Sequence, residues 1–305
     1  MDMPKVSIIG AGMVGGAAAQ AIATRGLADV VLVDVLGDQT KGKGVDLAQS
    51  MAAVGVDTSV VGTDDFSQIK GSEIVVITAG KPRQPDMTRE DLIDVNCKIL
   101  KSVCEQVKQY APDAIIIPVS NPLDLITAAA ARYLDVDKKK ILGMGGQLDC
   151  LRFAQKIKKR IKVSYKDIQT TVVGMHGKDM VPLPEYSTIK GITLPDMLSP
   201  QEIEDVVEET KNGGAEIVDL LKSGSAYYAP GESIRIMVEA ILTDSHKIVC
   251  SCVFSEDDGV FLGRPVMLGK EGVHKIVTLK LNDDDDKKSF TSAIATVKEL
   301  AKEII

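Results

Sequence analysis

Residues 6–34 read VSIIGAGMVGGAAAQAIATRGLADVVLVD, and no other stretch restricts the fold as strongly. A short apolar run, Val6, Ile8 and Ile9, suits a buried strand. Gly10-Ala11-Gly12-Met13-Val14-Gly15 follows, with its glycines in G-x-G-x-x-G spacing. A small-residue helix pattern then runs to Thr24, Gly26 stands where a helix C-cap belongs, and a second strand, Val30–Val33, ends at Asp34. In a strand–turn–helix unit each glycine has a task. Gly10 permits the tight turn, Gly12 lets backbone approach a pyrophosphate, and Gly15 lets the helix pack close on the strand. The first helical N–H groups and the positive end of the helix face the same anion. Asp34 is placed to bond a ribose hydroxyl and would repel a 2′-phosphate, which selects NAD over NADP. An ordinary glycine turn would share the glycines but not the strand before them, the helix after them and the terminal acid.

The pattern repeats down the first half. Strand-like Thr58–Val61, Ile74–Thr78, Ala114–Val119 and the short Ile141–Leu142 alternate with helices. One helix lies near Val45–Val54, one carries Leu92, Val95, Ile99, Val103 and Val107 at helical spacing, and one covers Leu123–Leu134. Ile74–Thr78 is apolar without alternation, as a central parallel strand covered on both faces requires. The expected architecture is α/β, a Rossmann doubly wound parallel sheet whose ligands sit at the carboxyl ends of the strands. Gly12, Asp34, Gly80 and Asn121 all fall at such ends.

Near Gly143-Met144-Gly145-Gly146 the alternation stops. A helix over Leu148–Ile161 and a strand over Thr170–Val173 come next. Ser199-Pro200-Gln201-Glu202 is a helix start with a capping box, and Asn212-Gly213-Gly214 should kink or break that helix. A helix from Pro230, a hairpin of Lys247–Phe254 with Val260–Leu262, strand-like Val273–Leu281 and a last helix bearing Ala293, Val297, Leu300 and Ile304 complete the chain. We therefore expect an NAD-binding Rossmann domain over 1–143 and a mixed α+β substrate domain over 144–305.

A net charge of −7 argues against nucleic acid or an anionic membrane as partner. The apolar runs are too short to span a bilayer and the N-terminus has no signal-peptide pattern, so a cytoplasmic protein is expected. Cys97, Cys104, Cys150, Cys250 and Cys252 form no C-x-x-C pair and read as buried free thiols. His176, His246 and His274 show no zinc-ligand spacing, and Asp283–Asp286 lacks the alternating ligands and glycine of a calcium loop. No metal is expected.

The residues able to do chemistry lie in the second half. Asp149 and Arg152 share one helix face, and His176 follows a strand. A carboxylate on the imidazole would fix its tautomer and favour its charged form, and Arg152 could grip a substrate carboxylate. Taken alone, Asp149 and Arg152 read more readily as a surface ion pair, and His176 as a structural histidine.

GAGMVG, VLVD, TAGKPRQPDMTREDL, VSNPLD, LDCLRF, GMHGKDMVPL and SGSAYYAP, in that order, resemble the lactate/malate dehydrogenase family over nearly the whole chain. Within it the likeness is greatest to members built like lactate dehydrogenases that act on malate. The resemblance implies a tricarboxylic acid cycle oxidoreductase with NAD as cofactor, a small dicarboxylate as substrate, and assembly as a homodimer or homotetramer with the Val45–Val54 helix as a contact. It implies His176 as acid/base with Asp149 as its partner. Arg152 would bind the C1 carboxylate, Arg89 would polarise the reacting carbonyl from a mobile loop, and Asn121 would orient the substrate. Thr78-Ala79-Gly80, Asn96, Val119 and Asn121 would touch the cofactor. Arg83 stands where lactate enzymes usually carry glutamine and malate enzymes arginine, and Ala226 agrees with the malate pattern. Lactate, or a broader range of 2-hydroxy acids, is the alternative substrate. A dinucleotide-binding protein without chemistry is the remote third. Asp86, Gln147 and Lys178-Asp179 depart from the family's pattern and bear on turnover and substrate breadth.

Overall fold

A computed structural model of the protein describes residues 3–82 and 87–304. The first half comprises β1 (Lys5–Ile9), α1 (Met13–Ala23), β2 (Asp29–Val33), α2 (Gly37–Val54), β3 (Val60–Thr63), β4 (Ile74–Ile77), α3 (Arg89–Tyr110), β5 (Ile115–Pro118) and α4 (Leu123–Leu134). The strands form one parallel sheet in the order β3-β2-β1-β4-β5. This is the doubly wound arrangement that the alternating pattern predicts. All four residues of β4 and of β5 are buried, because helices cover both faces. The expected strand at Ile141–Leu142 is reduced to a single parallel bridge from Ile141 to Ile116 at the sheet edge.

The second half holds α5 (Gly145–Arg160), β6 (Ile168–Gln169), β7 (Val172–Gly174), β8 (Met180–Pro182), β9 (Thr188–Ile189), β10 (Ile192–Thr193), α6 (Pro200–Leu221), α7 (Tyr228–Leu242), β11 (Lys247–Ser255), β12 (Val260–Gly269), β13 (Gly272–Ile276) and α8 (Asp284–Ile304). Strands β11-β12-β7-β8 form an antiparallel sheet, with β13 also paired to β12, and β10-β9-β6 form a small second one. The predicted hairpin is the β11–β12 ladder, in register from Lys247 opposite Leu268 to Ser255 opposite Val260. Ile234, Met237 and Val238 of α7 share one buried cluster with Ala18, Ala19 and Ile22 of α1, which locks the two halves together.

Strand β13 stops at Ile276, short of the expected Leu281, and three further departures involve glycines lying within or at the start of helices. Helix α2 starts at Gly37, well before Val45. A Cβ at Gly44 would lie 2.2 Å from the Gly62 nitrogen, so the missing side chain is what lets α2 press on β3. Helix α5 starts at Gly145 rather than Leu148. Helix α6 runs unbroken through Asn212-Gly213-Gly214, and the Arg152 side chain lies over those two glycines at 3.4–3.8 Å from where their Cβ atoms would stand. Its predicted start is as read: Ser199 and Glu202 cap one another reciprocally.

The contrast between Gly44 and Gly42, which has open space around it, makes a stability test. Gly44→Ala should destabilise by about 2 kcal/mol or more through the backbone clash, whereas Gly42→Ala should stabilise by about 0.5–1 kcal/mol through helix propensity. Urea unfolding of the two variants measures both, and equal effects would contradict this account of the helix.

Candidate active site

The carboxyl ends of β1, β2, β4 and β5 converge on one edge of the sheet. There the Thr78 hydroxyl donates to the Gly10 carbonyl at 2.8 Å, and the Ser120 hydroxyl donates to the Ala79 carbonyl at 2.6 Å. Gly15 packs so tightly on the turn that a Cβ would fall 1.9 Å from the Gly10 oxygen, while nothing lies within 4 Å of one placed on Gly12. Helix α1 has Gly12 as N-cap, no side-chain cap and no acid in its first turn, which leaves its N–H groups to an anion. Asp34 is held at the tip of β2 by the Ala11 N–H at 2.6 Å and the Leu36 N–H at 3.2 Å. An open turn, an uncapped helix start and a fixed acid at the next strand end match pyrophosphate and ribose. The residues present fit a dinucleotide.

Two further side chains shape this edge. Lys43 of α2 donates from Nζ to the Ala11 carbonyl. Lys43 lies in the part of α2 that precedes the helix expected from the sequence, which gives it no role. Asn96 is 2 % exposed and its amide is spent on backbone: it accepts from the Lys81 N–H at 2.7 Å and donates to the carbonyls of Asn121 at 2.7 Å and Lys81 at 3.2 Å. It clamps the segment after β4 to the segment after β5. Met13, Val14 and Val119 lie along the same edge, Val14 and Val119 packed against the core beneath it.

Beside this cleft, α5 presents Asp149 inward. One carboxylate oxygen bonds His176 Nδ1 at 2.8 Å and the other meets Arg152 Nη1 at 3.1 Å. The Asp149 side chain is 2 % exposed, that of His176 13 % and that of Arg152 14 %, so the surface ion pair is excluded. An ionised carboxylate only accepts, so Nδ1 carries the proton and Nε2 is the nitrogen left for chemistry. Burial by itself lowers the His176 pKa. The charge and hydrogen bond of Asp149, helped by Asp124, outweigh burial and Arg152, and His176 ends above the ordinary histidine value.

The scaffold explains how three residues so far apart in sequence meet. A Cβ on Gly145 would strike Leu123 at 2.3 Å and the His176 ring at 2.7 Å, so the histidine can lie against α5 only over a glycine. Phe153, fully buried, anchors the helix between Asp149 and its charged end. Lys156 pairs with Glu216 at 2.6 Å and Arg160 with Glu209 at 2.8 Å, fastening α5 to α6.

His176 opens onto a cavity of about 330 Å³ lined by Asn121, Asp124, Lys178 and Asp179 among others. Asp124 is 3 % exposed and accepts the His176 main-chain N–H at 2.9 Å, a contact that sequence reading missed. Its only signal was an acid in the first turn of a helix that follows a strand end. Thr88 and Asp91 form a capping box that starts α3 at Arg89, placed here by its backbone. Arg83 and Asp86 lie outside the described residues. All five cysteines are free and buried, with Cys104 pushed up to about 12 by burial. Among the described residues no three His, Cys, Asp or Glu side chains are grouped to hold a metal, and no helix is long and apolar enough to cross a membrane. Asp286 is less solvated than an acid at a helix start should be: burial, with Asp283 and Glu185 nearby, pushes it up to about 6.

Residues 4–143 match the NAD binding domain of lactate/malate dehydrogenase, and residues 146–305 match the alpha/beta C-terminal domain of the same family. A malate dehydrogenase from Methanosarcina barkeri is 46 % identical over 285 residues, 92 % of this chain and 93 % of that one. The apo structure of the malate dehydrogenase from Picrophilus torridus superposes with a TM-score of 0.96 at 35 % identity, over 99 % of this chain and 97 % of that one. A Cryptosporidium parvum lactate dehydrogenase complexed with lactic acid and nicotinamide adenine dinucleotide superposes with a TM-score of 0.95 at 33 % identity, over 100 % and 98 %.

The geometry makes Asp149 the main support of the His176 charge. In Asp149→Asn, burial and Arg152 remain to lower the pKa while the largest opposing influence is gone. His176 should then titrate below the ordinary value of about 6.5, as followed by NMR of the imidazole protons. A titration that stays where the native protein has it would contradict the stated cause.

Proposed function

Since this chain belongs to the lactate/malate dehydrogenase family, we propose that it works as an NAD-dependent malate dehydrogenase, interconverting (S)-malate and oxaloacetate. The observation that carries the reading is the buried Asp149–His176–Arg152 cluster opening beside a dinucleotide-shaped turn. Bound NAD supplies the hydride acceptor for C2 of malate, and NADH the donor in reverse. The chain supplies the rest. Nε2 of neutral His176 takes the hydroxyl proton, and Asp149 stabilises the imidazolium formed. Arg152 gives the C1 carboxylate a paired anchor. Asn121 orients the substrate, and Arg89 meets the oxygen that turns anionic during reduction. Gly10, Ala11, Gly12 and Gly15 hold the pyrophosphate, Asp34 the ribose, and Thr78, Ala79, Gly80 and Val119 complete the nicotinamide side, with Asn96 holding that edge together from beneath.

Arg83 sets the choice of malate over lactate. Oxaloacetate brings a second carboxylate into the site and pyruvate only a methyl. An unpartnered carboxylate there costs about 3–5 kcal/mol. On this reading the chain divides into a nucleotide half, 1–143, and a substrate half, 144–305. The exposed apolar residues Val35, Leu36, Val45 and Val54 on and beside α2 favour a homo-oligomeric contact, as dimer or tetramer. Five free thiols favour the reducing cytoplasm.

Mixing the protein with NADH should give rapid loss of absorbance on adding oxaloacetate and little on adding pyruvate. Arg83→Gln should lower kcat/KM for oxaloacetate by roughly 10²–10³ while pyruvate holds or improves; an equal fall for both would remove Arg83 as selector. His176→Asn should lower kcat by about 10²–10⁴ and keep NADH binding, and retained turnover would refute the proton-carrier role. Oxaloacetate reduction uses imidazolium, so with a raised folded pKa its rate should be full at low pH and fall only above the ordinary histidine value, while malate oxidation rises over the same limb. A limb at or below the ordinary value would be the wrong sign.

A further inference from the structure

A second buried acid touches the same histidine and has no part in the chemistry just described. Asp124 is the second residue of α4, accepts the His176 main-chain N–H through Oδ2 at 2.9 Å, and has no hydrogen-bond partner at Oδ1. It lines the cavity that holds the imidazole. A buried carboxyl with an orphan oxygen is costly unless its charge is answered nearby.

Counting charges shows what answers it. Asp124 and Asp149 bring two negative charges, and Arg152 one positive. Only when His176 is imidazolium does the buried cluster reach zero. The first turn of α4 adds the positive end of a helix beneath Asp124. We propose that Asp124 is a positioning residue for proton transfer: it fixes the His176 backbone by accepting its N–H, and its negative charge completes the neutral form of the Asp149–His176–Arg152 cluster. This rests on His176 being the proton carrier.

The groups facing the pair are few. Asp149 and Arg152 come from α5. Cys252 comes from β11, where burial and the charge of Asp124 push its thiol up and keep it neutral. Lys178 and Asp179, on the histidine's own loop, line the cavity. Thr127 on α4 spends its hydroxyl on the Leu123 carbonyl at 2.8 Å. Burial raises the Asp124 pKa, while the His176 N–H and the imidazolium charge lower it, and Asp124 in turn raises His176. The coupling is reciprocal, as linkage demands.

Asp124→Asn keeps an oxygen for the His176 N–H and removes the charge. NMR titration of the His176 imidazole should move down by about half a pH unit or more, and the acid limb of malate oxidation should move with it. Asp124→Ala removes the acceptor as well and should lower kcat tenfold or more at every pH, with NADH affinity within twofold of native as the check on folding. A His176 titration in Asp124→Asn that superimposes on the native one overturns the charge claim. An Asp124→Ala variant turning over within twofold of native overturns the positioning claim. Retained turnover in His176→Asn would instead defeat the underlying reading, and the imidazole titration would still measure the Asp124–His176 coupling.

Discussion

The Asp149 carboxylate bridges a histidine and an arginine in a place almost closed to water. A buried carboxylate survives only with partners, and removing one from such a cluster costs several kcal/mol. Each partner therefore fixes the other two. The same constraint explains three glycines that look like punctuation in the sequence. Gly145 lets His176 lie against α5, and Gly213 and Gly214 lie against the Arg152 side chain inside an unbroken α6. The chain spends side-chain volume at these points so that one carboxylate can be answered on both sides.

The cluster would be inert without the sheet beside it. Parallel strands place loops and helix starts at one edge, and here Gly10, Thr78 and Ser120 are laced across that edge by hydrogen bonds. Asn96 extends the lacing by tying Lys81 to Asn121. Asn121 lies two residues before the helix that carries Asp124, and Asp124 holds the His176 backbone. A continuous set of contacts thus runs from the nucleotide turn to the imidazole, and the packing of α7 on α1 closes the frame.

Much of this was legible in the residues. Period and glycine spacing marked out β1–α1–β2, the parallel sheet and the capping box at Ser199, because these depend on local sterics and on burial that a short window displays. What the residues could not display was contact across the fold. Gly44 looks like a loop residue until β3 is seen against it. Asp149 and Arg152 look like a surface pair until α6 covers them, and Asp124 looks like a helix-start acid until the His176 segment folds over it. In every such case the deciding partner lies far away in sequence, and no periodicity reports it.

The choice of substrate sits at a different level again. Enzymes named for lactate and for malate share this backbone, so the backbone cannot carry the distinction. Nor, in the roles proposed for it, can the Asp149–His176–Arg152 cluster, which would serve the atoms that the two substrates have in common: a C1 carboxylate and a carbonyl at C2. Discrimination must come from charge facing the far end of the substrate, where one molecule ends in a methyl and the other in a carboxylate. Inside a closed site that difference is large, since an unanswered charge of either sign is penalised. Lys178 lines the cavity beside His176 and brings a cation to it, and on the proposed reading Arg83 is the charge that answers the second carboxylate. On that reading the breadth of substrates is set by charge at the far end of the substrate rather than by the fold.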